Sequence, residues 1–200
     1  MTNTKQIEKR IQSMKPGTAF IASDFFDLSD YENVRKILNR LTDAKKIRRL
    51  LPGVYDAPRY SKLLIEWEAP NLHEVALALA RKYNWSIAPT GNTALNVLGL
   101  STQVPGKWMY ISDGRYVTYN VAGTLLEFKH RANGEISGLS KEVAMVIQAI
   151  QAIGKDQMTE ESLKILRDFL SDSERQELLI KGKATKSWVY QIIREIGAAA

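Results

Sequence analysis

The stretch KKIRR at residues 45–49 places four cations in five positions. Lysine and arginine at this density can bind the phosphates of a nucleic acid. A nuclear-localisation-like signal would read the same way, and cations at a helix C-terminus also favour the helix dipole. The dipole explains Lys45 and Lys46, but it does not explain Arg48 and Arg49, which follow the predicted helix end. We therefore predict that this segment contacts phosphates.

The residues after KKIRR predict a β-hairpin. Pro52-Gly53 is a favoured turn pair, and it separates two strand-like segments, 47–51 and 54–56. The predicted hairpin presents Lys46, Arg48 and Arg49 to phosphate, with Tyr55 as a weaker candidate.

The segment before the hairpin predicts a helix with a polar face. Ser29-Asp-Tyr-Glu32 has the spacing of a capping box, and an apolar stripe follows it: Val34, Ile37, Leu38 and Leu41. The outward face carries Asn33, Lys36, Asn39 and Arg40, with Arg35 at the boundary. Asparagine and arginine can form bidentate contacts with base edges. A solvated helix face is the alternative for an isolated helix.

The order of these elements favours DNA binding. A helix at 4–14 and a short helix at 23–28 precede the capped helix and the hairpin. This is the order of a winged helix-turn-helix, in which one helix enters the major groove and the wing lies on the backbone. We predict a DNA-binding domain at 1–60 and a second domain at 61–200.

Charge and composition fit this division. The net charge is +6, and residues 1–60 hold 12 Lys/Arg against seven Asp/Glu, whereas residues 141–200 hold nine of each. The absence of cysteine excludes disulfides, thiol catalysis and cysteine-based zinc sites. We expect no cofactor and no metal. The charged N-terminus and the short apolar runs predict a cytoplasmic protein with no membrane partner.

No constellation of residues indicates catalysis. Glu66 and Glu68 would share one face of a strand, with no opposed group for acid–base work. Thr90-Gly-Asn-Thr93 lacks the spacing of a phosphate loop. We therefore expect that the protein is not an enzyme.

The remaining chain predicts an α+β domain. Asp113-Gly114 is a strong hairpin signal between strands at 107–112 and 115–121, and a third strand at 124–130 would complete an antiparallel meander. Apolar stripes from residue 140 onward predict C-terminal helices, one of them opened by a capping box at Ser171–Glu174.

The sequence resembles the AbiEi-type antitoxins of bacterial toxin–antitoxin and phage abortive-infection systems. The resemblance rests on IRRLLPGVYDAP and on VALALARKYNWSIAPTGNTALNVLGLSTQVPGKWMYISDGR, over residues 1–130. It implies a winged-helix protein that binds inverted repeats in its own promoter and represses its operon. It also implies that the protein counteracts a nucleotidyltransferase-like toxin through the part after the winged helix, with or without direct contact.

Two other functions remain open from the sequence alone. One is a one-component transcriptional regulator whose second domain senses a ligand. The other is an enzyme with a DNA-binding appendage, which would need a deep polar pocket with convergent titratable groups.

Overall fold

The computed structural model describes residues 2–63, 65–131 and 138–197 of the 200-residue chain. The chain forms two compact units. The first comprises Met1–Trp85 and Asn120–Gly123, and the second comprises Ser86–Tyr119 and Thr124–Ala200. The first unit therefore contains residues 61–85 together with the predicted DNA-binding segment 1–60. A functional boundary at residue 60 stays a prediction.

The first unit begins with two helices and a short 3₁₀ turn. Helix α1 spans Asn3–Ser13, the 3₁₀ turn spans Ala22–Phe25, and α2 spans Tyr31–Asp43. The predicted capping residue was one position too early, because the Asp30 side chain accepts a hydrogen bond from the Asn33 amide. Aspartate is a favourable N-cap, since its carboxylate satisfies an amide that has no helical partner.

A three-stranded antiparallel sheet completes the core of this unit. Its strands are β1 (Ala19–Phe20), β2 (Arg48–Leu51) and β3 (Val54–Asp56), in the order β1-β3-β2. The predicted hairpin is confirmed as β2 and β3, and Gly53 has a φ of +75° at its turn, where glycine is favoured. The core consists of apolar residues from the helices and the sheet: Ile7, Ile11, Phe20, Phe25, Val34, Ile37, Leu38, Leu41, Ile47 and Tyr55.

A further helix and a small strand pair belong to the first unit. Strands β4 (Tyr60–Ser61) and β5 (Glu66–Trp67) pair with each other, and helix α3 (Leu72–Tyr83) follows them. Asn71 caps this helix, and its side chain accepts hydrogen bonds from the amides of His73 and Glu74. Helix α3 packs against β1 and β3.

A four-stranded sheet, which belongs to the second unit except for the last two residues of β8, has a topology that corrects a prediction. Its strands are β6 (Ile87–Pro89), β7 (Lys107–Ser112), β8 (Val117–Val121) and β9 (Thr124–His130), in the order β6-β7-β9-β8. Strand β7 pairs with β9 in parallel and with β6 in antiparallel. The sheet is mixed, and the predicted antiparallel meander is wrong.

The side chains around Asp113-Gly114 explain this difference. Asp113 accepts a hydrogen bond from the Ser86 amide, which holds it beside the start of β6. Ser112 Oγ accepts from the Gly114 amide, and the Ser112 carbonyl accepts from the Arg131 amide after β9. The turn therefore directs the chain away from β7, and the sheet position beside β7 is taken by β9.

Helices make up the rest of the second unit. These are α4 (Asn92–Val97), α5 (Lys141–Ile153), α6 (Glu160–Phe169), α7 (Asp172–Lys181) and α8 (Ser187–Gly197). The predicted capping box at Ser171 and Glu174 is confirmed. Their apolar stripes meet in one core around Val146, Leu166 and Ile193. The protein is therefore a mixed α+β protein, and within the described part of the chain no helix has the length and apolar character to cross a membrane.

Candidate functional site

A groove of about 520 Å³ in the first unit lies between α2, the β2–β3 hairpin and the end of α3. We call it the N-terminal groove. Its polar and charged lining comes from Ser23, Tyr31, Arg35, Asn39, Arg49, Tyr55 and Lys82, and the rest from Ile21, Ala22, Phe26, Leu38, Pro52 and Gly53. Its three cations come from three separate elements, and no carboxylate of the described residues is part of the lining.

Helix α2 contributes only part of its predicted polar face to the groove. Arg35 and Asn39 are exposed and lie in the lining with Tyr31, since residues four apart share one face of a helix. Arg35 also pairs with Glu32 at 3.2 Å. Both of these side chains are more than half exposed, so the pair is weak and Arg35 can exchange it for a phosphate.

The other predicted residues of α2 lie elsewhere. Asn33 is half-buried, and its side chain donates to Ser29 Oγ at 2.7 Å, so it is not on the outward face. Arg40 donates to Thr4 Oγ1 of α1 at 3.0 Å. Lys36 is exposed but outside the groove lining.

The hairpin separates its two arginines. Arg49 lines the groove and is exposed, and no carboxylate in residues 2–63, 65–131 or 138–197 pairs with it. Arg48 forms a bidentate pair with Asp56, with its Nε 3.0 Å from Oδ1 and its Nη2 2.6 Å from Oδ2. Arg48 also donates to the Glu68 carbonyl. Successive side chains of a strand point to opposite faces, which accounts for the two environments.

Two predicted contacts of the hairpin region need correction. Tyr55 borders the groove but is a core residue with 4% of its surface exposed, and its ring stacks on Phe20 with centroids 6.2 Å apart. It pairs in register with Phe20 on the covered centre of the sheet. Lys46 lies outside the groove lining and pairs with Glu8 of α1 at 2.8 Å.

Lys82 is the cation of the groove that the sequence reasoning missed. Its ammonium donates to the Pro52 carbonyl at 2.6 Å and lies 4.9 Å from the centre of the Tyr83 ring. The adjacent Arg81 donates to the Ala19 carbonyl and pairs with Asp24. Lys82 therefore fixes the hairpin turn to α3 and adds positive charge beside Arg49.

An exposed aromatic pair in the groove lining was also missed. Phe26 and Tyr31 are 49% and 53% exposed, and their rings meet edge to face with centroids 6.1 Å apart. Aromatic groups at such a surface can stack on bases or contact thymine methyl groups. The signal in the sequence was FF at residues 25–26, of which only Phe25 lies in the core.

A second cluster of titratable groups lies on the sheet of the second unit. Glu127 is 2% exposed, pairs with Lys107 and accepts a hydrogen bond from Tyr116. The Lys107 ammonium and then the Tyr116 hydroxyl lower the pKa of Glu127, and Glu127 in turn raises the pKa of Tyr116. A raised pKa keeps the Tyr116 phenol protonated and does not activate it as a nucleophile. The contacts of Glu127 connect β9 with Lys107 of β7 and with Tyr116, which precedes β8. Within the described ranges, no three acidic or histidine side chains are grouped as metal ligands.

Comparisons with known proteins give a family match and a distant structural similarity. The model of DUF6088, described as a family of unknown function, matches residues 6–198. No curated protein matches the chain. The crystal structure of RV2827C protein from Mycobacterium tuberculosis aligns with 99% of this chain and 77% of that chain, at 11% identity and a TM-score of 0.44.

Proposed function

The chain belongs to DUF6088, a family of unknown function, and we propose that it binds double-stranded DNA through its N-terminal groove and the adjoining face of α2. The observation that carries this proposal is the convergence of Arg35, Arg49 and Lys82 on one groove whose described lining residues include no carboxylate. A surface of this kind matches the charge of a phosphate backbone.

The arrangement of elements supports a winged-helix mode of binding. Helix, short strand, 3₁₀ turn, helix and hairpin follow one another in the first unit, and the hairpin pairs with the short strand. In that mode α2 enters the major groove and the hairpin lies on the backbone. Asn39 and Arg35 would contact base edges, while Arg49 and Lys82 would hold phosphates.

A binding experiment on the full chain tests this proposal. Labelled duplexes from the DNA upstream of its own coding sequence and from unrelated DNA are titrated at two salt concentrations. We expect specific binding, and we expect Arg49→Ala/Lys82→Ala to lower the salt slope by about 2, because each phosphate contact contributes about 0.9. Asn39→Ala should instead reduce the preference for the upstream sequence.

The matched control removes two exposed lysines outside the groove, as Lys155→Ala/Lys164→Ala. It has the same net charge as the groove variant. Equal binding by the control and the groove variant would contradict the assignment of the groove. No preference of the wild-type chain for any duplex would contradict specific DNA binding altogether.

The role as an antitoxin rests on the resemblance of the sequence to AbiEi-type proteins. We propose that the chain represses its own operon and counteracts a nucleotidyltransferase-like toxin through its second unit. Coexpression with a nucleotidyltransferase-like protein encoded beside it should restore growth. Arg49→Ala/Lys82→Ala should lose repression but still restore growth, and if no such toxin is neutralised, the antitoxin proposal fails while DNA binding can stand.

A further inference from the structure

A second basic groove lies in the second unit. It has a volume of about 690 Å³ and lies where the end of β9, helix α5 and the α7–α8 connection meet. Four cations line it: Arg131, Lys181, Lys183 and Lys186. We call it the C-terminal groove.

The charge of this groove is local rather than a consequence of composition. Residues 141–200 hold equal numbers of basic and acidic side chains, yet the described lining contains four cations and no carboxylate. Glu177 lies outside the described lining and pairs with Lys181 at 3.1 Å. Across residues 2–63, 65–131 and 138–197, no carboxylate pairs with Lys183 or Lys186.

The segment that carries the lysines is held in place by packing. Gly182 is buried against α8, and a Cβ at this position would lie 2.7 Å from Ile193 Cδ1. The amide and the hydroxyl of Thr185 donate to the Gly182 carbonyl, at 2.9 Å and 2.6 Å. Lys183 lies within this turn and Lys181 and Lys186 flank it, so the three lysines are presented from a fixed backbone.

The lining also offers polar groups deeper in the groove. Gln148 of α5 is 7% exposed, and the amide-bearing Gln151 and the hydroxyl-bearing Thr185 line the same surface. Amides and hydroxyls contact sugar and phosphate oxygens as well as base edges. Four cations exceed what one phosphate monoester needs, and they match the repeated charges of a phosphodiester chain.

We propose that the C-terminal groove binds the phosphodiester backbone of a nucleic acid, as a site separate from the N-terminal groove. Lys183 and Lys186 contact phosphates, Arg131 adds positive charge to the same lining, and Lys181 exchanges its bond to Glu177 for a phosphate when the nucleic acid is bound. The protein then has two polyanion sites, one in each compact unit.

The test measures anisotropy of two labelled probes with the full chain: a 30-bp duplex DNA of arbitrary sequence and a single-stranded RNA of 30 nucleotides. The comparison is made in the Arg49→Ala/Lys82→Ala background, so that the N-terminal groove contributes little. Adding Lys183→Ala/Lys186→Ala should weaken binding of at least one probe about tenfold at low salt and lower its salt slope by about 1.4–1.8. The probe that is affected identifies DNA or RNA as the source of the backbone.

Two further variants keep the result interpretable. Lys155→Ala/Lys164→Ala in the same background removes the same charge from outside the groove and should change the slope by less than the groove variant. Lys183→Glu/Lys186→Glu should weaken binding further, with unchanged circular dichroism and thermal unfolding. If the groove variants and the control bind both probes equally, the inference is overturned, and an acidic protein becomes the occupant to examine. The probes need no operator sequence, so this result does not depend on specific promoter binding.

Discussion

The two faces of the β2–β3 hairpin use neighbouring arginines for different purposes. On one face, Arg48 neutralises Asp56, a carboxylate with 2% of its surface exposed. On the other, Arg49 lines the N-terminal groove with Lys82. The sequence RR suggests one cationic patch, but successive side chains of a strand point to opposite faces. Arg48 therefore pairs within the fold, and Arg49 stays exposed in the groove lining.

This difference shows that a basic run overstates the charge available to a partner. Of the four cations in KKIRR, Lys46 pairs with Glu8 and Arg48 with Asp56, whereas Arg49 lines the groove. The missing charge is replaced by Arg35 and Lys82, which lie outside the run. The effective surface is assembled by the fold rather than by one segment of sequence.

Truncation of the chain before α3 should have the largest effect, because it removes one side of the N-terminal groove. A fragment of residues 1–60 lacks α3, and with it Lys82 and the helix that packs against β1 and β3. We expect it to lose cooperative thermal unfolding, because the packing of α3 on the sheet is absent, while a fragment of residues 1–85 retains it. Similar unfolding of the two fragments would show that the groove does not need α3.

Arg48→Ala should lower the stability of the fold, because it removes the ion pair on the other face of the hairpin. It leaves Asp56 as a buried carboxylate without its partner, and this costs about 3 kcal/mol of the free energy of unfolding. Urea denaturation measures the loss. Arg48→Ala/Asp56→Asn should recover part of it, and an effect of Arg48→Ala below that of Arg49→Ala would reverse the assignment of the two arginines.

Glu127→Gln tests whether loss of a buried ion pair also lowers stability in the second unit. Losing the ion pair with Lys107 should cost about 1–3 kcal/mol near neutral pH. Since the pKa of Glu127 is lowered in the folded state, its contribution is present above the ordinary glutamate pKa and is lost as pH falls through the folded value.

The stability difference between the wild type and Glu127→Gln should therefore shrink below about pH 4. Urea denaturation at a series of pH values checks this. A difference that stays constant down to the lowest pH at which both proteins fold would mean that the charge of Glu127 contributes nothing. Glu66→Gln, at an exposed position on β5, is the matched control.

Arg49→Ala should have a much smaller effect on stability than Arg48→Ala. An exposed side chain with no ion pair in the described structure should change the free energy of unfolding by no more than about 0.5 kcal/mol. The same variant should lower the salt slope of DNA binding by about 0.9. A stable variant with an unchanged slope would remove Arg49 from the proposed interface.

The helices and the hairpin of the first unit could be predicted because their signals are local. Apolar stripes, caps and the Pro52-Gly53 turn depend on residues within a few positions of each other. Even the error at Ser29 was one residue, since Ser29 and Asp30 are both capping types and only the structure shows which side chain accepts the bond.

The strand order of the second unit and the role of Lys82 could not be predicted in this way. Asp113-Gly114 fits a hairpin by itself, and the contact with the Ser86 amide that redirects it comes from 27 positions away. Lys82 meets Pro52 across 30 positions. Such contacts depend on the packing of whole elements, which no short pattern encodes.

The parallel pairing of β7 with β9 also has a consequence for folding while the chain is being synthesised. Strand β7 can pair with β6 as soon as residue 112 has emerged, but its other edge waits for Thr124–His130. During that interval, an unpaired strand edge with the apolar residues Trp108, Tyr110 and Ile111 is open to other nascent chains. We expect slow translation after residue 112 to lower the yield of folded protein, and faster translation of β8 and β9 to raise it.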